Sequence, residues 1–267
     1  MALRSSRKNN NPKRKIFSTT RILGVRIFSI TYRVTLREVQ RWIVKRENNY
    51  VCIAAAHLVM ECQNNERLRE GVNRAGLVTP DGMPLVWLLK LFGNKRVERV
   101  YGPMLMQRLC ALSAIKKWRI LLLGGDTGQS DRLRKRLAQL HPELRIVGAI
   151  DTPVRPISDI KNHTIIRQIN YSKADIVFVG LGCPWQELWM SENRPLLRPA
   201  VLVGVGAAFD FISGRQRQAP VWMQHIGLEW LFRVLQEPKR LWYRYTVVNT
   251  IFVWRVLKQI LRDFLLH

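Results

Sequence analysis

Ile120-Leu121-Leu122-Leu123-Gly124-Gly125-Asp126-Thr127-Gly128 decides the fold. Its apolar run predicts a short buried strand over 120–123. The glycines turn the chain into 130–140, which has helical spacing. The same unit recurs on both sides. Upstream, 51–56 reads as a strand, 59–75 as a helix, 77–79 as a strand stub ended by Pro80-Asp81-Gly82, and 85–92 as a helix start. Downstream, 145–150, 176–181 and 200–205 read as strands, with helices over 157–171 and 185–193. This alternation predicts an α/β fold, a mainly parallel sheet with flanking helices on both faces. Ligands on such sheets sit beyond the carboxyl ends of the strands. The loops after Ala56, Thr79, Leu123, Leu181 and Val205 are therefore the ones to search.

The ends of the chain differ from this middle. Residues 1–50 carry 13 Lys/Arg against Glu38 and Glu47, and 214–267 carry 9 against 3 acids. Together they supply most of a net charge of +25 in 267 residues. Such a chain seeks polyanions: nucleic acid, an anionic membrane surface or phosphorylated substrates. Residues 1–15 read as a disordered basic tail with no apolar stretch behind it, hence no secretory signal. The four cysteines form no Cys-x-x-Cys pair and read as reduced, cytosolic thiols. The five histidines show no metal-ligand spacing.

A helix over 228–236 and a long one over 239–266 close the chain. At 100° per residue, Arg240, Arg244, Arg255, Lys258 and Arg262 share one stripe, with Trp242, Phe252, Trp254 and Leu257 elsewhere. Two readings stand: a helix in a membrane interface, or one packed on the core or a partner. No run of 18 residues is both apolar and free of charge, so no spanning helix is expected.

Four loops carry candidate chemistry. Gly124 and Gly125 lie where a backbone can approach a phosphate at a helix N-terminus, and Asp151 follows the next strand where a ribose-binding acid would sit. The spacing is not Gly-x-Gly-x-x-Gly, so a plain tight turn is the rival. Asp81 reads either as a turn or capping residue or as a general base at the sheet rim. Gly182 introduces Cys183-Pro184-Trp185-Gln186-Glu187; Cys183 is a packed thiol before it is a nucleophile. After Gly204-Val205-Gly206, Asp210 stands between two phenylalanines and needs a partner or a ligand. No Asp-x-Asp occurs, so a diphosphate leaving group would need arginines, lysines or helix N-termini.

Val78-Thr79-Pro80-Asp81-Gly82-Met83-Pro84, Leu123-Gly124-Gly125, Gly180 to Glu187, Gly206 to Gly214, Gly227 to Arg233 and Glu237-Pro238-Lys239-Arg240 come in that order. The ordered set resembles the WecG/TagA/CpsF glycosyltransferase family (glycosyltransferase family 26), over roughly residues 22–250. The resemblance implies a Rossmann-like core over 16–213 and a helical, membrane-associating C-terminal appendage over 214–267. It implies an inverting, metal-independent transferase, with no cofactor, peripheral on the cytoplasmic face of the inner membrane. The partners implied are a UDP-sugar donor and a polyprenyl-diphosphate-sugar acceptor of cell-surface polysaccharide synthesis; self-association is left open. By the same resemblance Asp81 is the catalytic base, with Arg99, Gln186, Asp210, Arg233 and Arg240 at the substrates and Gly124, Gly125, Gly182 and Gly206 around the nucleotide.

The chain departs from the family in three places. Ile53 stands where a threonine is usual, 28 positions before Asp81; Tyr243 replaces an arginine, with Arg244 beside it; and Asp151-Thr152-Pro153-Val154-Arg155-Pro156 only loosely matches the family's Pro-Pro-containing loop. Ile53 also leaves a catalytically degenerate member as an alternative. Charge alone suggests a nucleic-acid-binding protein, but no recognition motif accompanies it. A nicotinamide enzyme would need the missing glycine fingerprint.

Overall fold

The computed structural model describes residues 17–152, 163–198 and 200–265, without the side chains of Val221, His225 and Arg240. The basic tail 1–15 and the 157–162 part of the helix expected over 157–171 lie outside them. The chain opens with a hairpin, β1 (Thr19–Ile22) antiparallel to β2 (Val25–Phe28). Next come α1 (Tyr32–Val44), β3 (Asn49–Ala54), α2 (Ala56–Asn64), α3 (Glu66–Arg74), β4 (Leu77–Pro80), α4 (Met83–Leu91) and α5 (Gly102–Lys116). The second half of the core holds β5 (Arg119–Gly124), α6 (Gln129–Leu140), β6 (Arg145–Ile150), α7 (His163–Ser172), β7 (Ile176–Gly180), α8 (Trp185–Asn193), β8 (Val201–Gly204) and α9 (Ala208–Ile212). The rest is helical: α10 (Val221–His225), α11 (Glu229–Gln236), α12 (Pro238–Tyr243), a π-helical turn over Arg244–Val248 and α13 (Asn249–Leu265).

Six strands form one parallel sheet in the order β4-β3-β8-β7-β5-β6. Every residue of β7 and β8 is buried, which requires cover on both faces. α3 packs on α8, while α1, α5, α6 and α9 form a second connected group. β6 alternates exposed and half-buried residues because it is an edge strand. The α/β alternation read from the sequence is thus the observed architecture.

The elements differ from expectation in three ways. The helix expected over 59–75 is two, because Asn65 leaves the helical region (φ −140°, ψ 102°) and its side chain accepts from the Leu68 N–H at 3.0 Å, capping α3. The hairpin, α1, α5 and the short helices α9 and α10 had no sequence assignment. The long terminal helix is interrupted by the π turn, which shifts its phase. Arg244 therefore leaves the expected cationic stripe and faces inward to the clefts described below.

α13 packs on the core and still presents apolar residues to solvent. Phe252 and Val256 are buried, and the helix lies against α2. Gln259 clasps the hairpin turn: its Oε1 accepts from the Leu23 N–H at 2.8 Å and its Nε2 donates to the Arg21 carbonyl at 3.0 Å. Leu23 holds a positive φ of 48°, unfavourable for a leucine. Gln63 adds a third contact there, donating to the Leu23 carbonyl at 2.7 Å. Meanwhile Val253, Trp254, Leu257, Leu261 and Phe264 stay exposed. Among the described residues no helix is long and apolar enough to cross a membrane.

Candidate active site

β3 and β4 run side by side, with Ile53 opposite Thr79 and Ala54 opposite Pro80. The Asp81 N–H donates to the Ala54 carbonyl at 2.8 Å, so the acid leaves β4 pinned to the end of β3. Two clefts meet there. The larger, about 570 Å³, runs along the carboxyl ends of the central strands past Gly125, Gly182, Gln186, Gly206 and Asp210. The smaller, about 190 Å³, opens between the start of α4, the Gly227–Trp230 segment and Tyr245. Ala55, His57, Asp81, Tyr101, Arg233 and Arg244 line both.

Arg99 orients the acid. Its Nε donates to the Asp81 carbonyl at 2.5 Å and to Oδ1 at 3.2 Å, and its Nη2 donates to Glu229 Oε2 at 2.7 Å. The Tyr101 hydroxyl donates to Glu229 Oε1 at 2.8 Å, so α11 is tied to the core through one buried acid. Burial raises the Asp81 carboxyl above its usual range; Arg99 pulls it down and Glu229 pushes it up. A carboxylate so placed is a better proton acceptor than a solvated one. Arg99 stays firmly charged, since Asp81 and Glu229 outweigh the burial that opposes its charge. Glu229 and Tyr101 escaped the sequence reading. Glu229 sits inside the Gly227–Arg233 motif, but nothing local shows that its partners lie at 99 and 101.

The larger cleft is built from turns. Gly206 takes φ +51° at the end of β8, and its N–H donates to Gln186 Oε1 at 3.0 Å. Gln186 Nε2 in turn donates to Glu187 Oε1 at 2.7 Å. The buried Gln186–Glu187 pair thus holds the β8 turn in place. Burial raises the Glu187 carboxyl to about 7, against hydrogen bonds from Gln186 and the Cys183 thiol. Burial and Glu187 hold the Cys183 thiol well above its ordinary pKa, so it is a protonated donor and not a nucleophile. Asp210 has found its partners: it accepts from Gln129 Nε2 at 2.7 Å, with Arg215 at 3.8 Å.

The glycine-rich turn after β5 differs from its dinucleotide reading. Asp151 accepts from the Gly128 and Ser130 N–H groups, at 2.6 and 2.9 Å, and from the Ser130 hydroxyl. The start of α6 is therefore capped by the chain's own carboxylate, and Asp151 is not a free ribose acid. Gly124 is not on the cleft wall. It faces the Gly180 backbone, which a Cβ would approach to 2.6 Å. Gly125 does line the cleft, as do Gly182 and Gly206.

Arg233 and Arg244 enter from the C-terminal helices. Arg233 donates to the Tyr245 hydroxyl at 3.4 Å and lies 5.6 Å from the Phe211 ring centre. Arg244 comes from the π turn, and its neighbour Tyr243 lines the larger cleft. The Arg240 side chain lies outside the described residues. On the β3 side, Ile53 and Ala55 make an apolar wall, ended by His57. Burial and the nearby Arg244 lower the His57 imidazole to about 3, so it is neutral, and its Nδ1 makes no hydrogen bond. Among the described residues no group of three or more His, Cys, Asp or Glu could hold a metal ion.

On a parallel α/β sheet, two clefts thus meet at a shielded carboxylate, and arginines reach in from the C-terminal helices. The chain belongs to the glycosyl transferase WecG/TagA/CpsF family, whose model matches residues 20–264. Its relatives include proteins named N-acetylglucosaminyldiphosphoundecaprenol N-acetyl-beta-D-mannosaminyltransferase. That of Bacillus subtilis (strain 168) is 30% identical over 174 residues, 65% of each chain, so the match spans just under two thirds of that relative. That of Bacillus spizizenii is 29% identical over 203 residues, 76% of this chain and 77% of the relative. That of Staphylococcus aureus (strain MW2) is 23% identical over 242 residues, 89% and 91% of the two chains.

Proposed function

We propose that the protein transfers a sugar from a UDP-sugar to the sugar of a polyprenyl diphosphate, with inversion, at a membrane surface. The observation that carries this is the position of Asp81 on the common wall of two clefts. One substrate can lie in each, with the reacting atoms meeting at the carboxylate. The larger cleft, beyond the strand ends, suits the nucleotide. The smaller one, flanked by Trp87 and Trp230, suits the lipid-linked acceptor.

In this reading Asp81 takes the proton of the acceptor hydroxyl as its oxygen bonds to the anomeric carbon. The bond from that carbon to UDP breaks, and Arg233 and Arg244 stabilise the diphosphate that leaves. Arg99 orients Asp81, and Gln186 with Glu187 holds the Gly206 turn beside the donor. No metal need be invoked, because fixed cations already reach the clefts. Residues 214–267 act as the appendage that completes the site on the cytoplasmic face of the membrane. The names of the relatives make UDP-N-acetylmannosamine the first donor to try, and N-acetylglucosaminyl diphosphoundecaprenol the first acceptor.

UDP release, measured with a panel of UDP-sugars on vesicles carrying the acceptor and with EDTA present, tests the reading. Acceptor-dependent release is expected to resist EDTA and to fall by about 10²–10⁴-fold in Asp81→Asn. Release indifferent to that substitution overturns the role of Asp81. Silence with every donor overturns the activity.

A further inference from the structure

The apolar surface left bare is not confined to the C-terminal helices. In α4 the inner face, Leu85, Val86 and Leu89, is buried. The outer face carries Trp87 and Leu91, one helical turn apart and 55% and 70% exposed, followed by Phe92. Lys90, Lys95 and Arg96 are exposed in the same stretch, and no acid occurs from Met83 to Arg96, Glu98 being the first after it. The ridge is therefore aromatic, aliphatic and, over these residues, cationic. It also adjoins the site. Trp87 and Trp230 both line the smaller cleft, and a Cβ on Gly227 would stand 3.2 Å from Met83 and 3.7 Å from Trp87. Just before that glycine, α10 exposes Trp222, and Ile226, the residue that caps it, is exposed too.

We infer that the α4 ridge, Trp87, Leu91 and Phe92 with Lys90, Lys95 and Arg96, is a seat on an anionic bilayer surface, so that the core itself faces the membrane at the mouth of the smaller cleft. The inference rests on the lipid-linked acceptor proposed above. A diphosphate-sugar tethered to a bilayer reaches Asp81 only if the cleft mouth faces the lipid. Tryptophan prefers the headgroup region, and flanking lysines keep their ammonium groups at anionic lipid while their stems lie along apolar surface. Charge complementarity selects this occupant: three exposed cations and no acid over 83–96 favour an anionic surface over a second copy of an equally basic chain.

The test uses the full chain with Leu91→Glu and Phe92→Ser, neither of which lines a cleft. Flotation is measured on phosphatidylglycerol-containing and on pure phosphatidylcholine vesicles. Wild type is expected to bind the anionic vesicles preferentially, and Leu91→Glu to bind them at least tenfold more weakly. Transfer to a long-chain acceptor in vesicles should fall in parallel, while transfer to a water-soluble short-chain acceptor is unchanged. A fluorophore on Leu91→Cys should shift to the blue on anionic vesicles, and one on Tyr171→Cys, distant on α7, should not. Wild-type flotation retained in Leu91→Glu, or no shift at residue 91, overturns the seat. So does a ridge variant that abolishes self-association while leaving vesicle binding intact, which would assign the ridge to a second copy. Failure of wild type on the short-chain acceptor would instead strike the proposed activity, whatever the flotation shows.

Discussion

Arg99 Nη2 lies 2.7 Å from Glu229 Oε2, and the two residues are 130 positions apart in the chain. The arginine that steers the proposed base is thereby held from the far side by the first residue of α11. Closure of the C-terminal helices and the electrostatics of Asp81 are one arrangement, because Glu229 raises the Asp81 carboxyl while Arg99 lowers it.

Glu229→Gln removes a negative charge near Asp81 and leaves Arg99 to act on Asp81 alone. Both changes favour the ionised carboxylate. The acid limb of the kcat/KM profile should move to lower pH, with kcat reduced because the base is weaker. Initial rates measured across pH 4–8 check this, and a limb that stays or moves upward rejects the coupling.

Glu187 makes stability depend on pH. Burial raises its carboxyl from 4.5 to about 7, against hydrogen bonds that oppose the rise. Across that window the folded state keeps a proton the unfolded chain has released. This contribution is therefore present below the unfolded value, declines as pH rises, and is gone above about 7, with an upper bound of about 3 kcal/mol. Glu187→Gln should flatten this part of the profile and raise the melting temperature at pH 8 more than at pH 5. Parallel melting curves for the two proteins would reject it.

Arg233→Ala and Arg244→Ala each remove a fixed cation from both clefts. Each should lower kcat by about 10²–10³-fold if diphosphate charge develops beside it. Inhibition by the product UDP should weaken in parallel, with little change in melting temperature. Loss of activity with unaltered UDP inhibition would place these arginines away from the leaving group.

Ile53→Thr returns a hydroxyl to the apolar wall of the larger cleft. Relative kcat/KM among UDP-sugars should change by about tenfold or more, since a buried hydroxyl discriminates partners strongly. His57→Ala should change the same ratios, because the imidazole is the polar group at the end of that wall. Uniform effects on all donors would mean that neither residue reads the sugar.

The sheet was legible because parallel strands buried on both faces write themselves as short apolar runs, such as 120–123 and 176–180. Asp81 was legible as a candidate because it follows such a run. What the sequence hid was pairing at a distance. Asp151 looked like a ligand acid, yet it caps the helix whose N-terminus it was expected to leave open. Gly124 is demanded by close approach of the neighbouring Gly180 backbone, a contact its place in the glycine-rich turn did not announce. The phase of the terminal helix was lost because a π turn leaves no sequence mark, and it moved Arg244 from the outer stripe into the clefts.

The clasp of Gln259 on the hairpin turn joins the first described element of the chain to the last. During synthesis the sheet can assemble while the terminal helices still lie within the ribosome, since domains fold from the N-terminus onward. Leu23 must then wait for its partner, and Arg99 must wait for Glu229. A nascent chain of this protein holds an assembled sheet with an unfinished site. By this order of events the site is completed only once the last described helix has emerged and closed upon the residues made first.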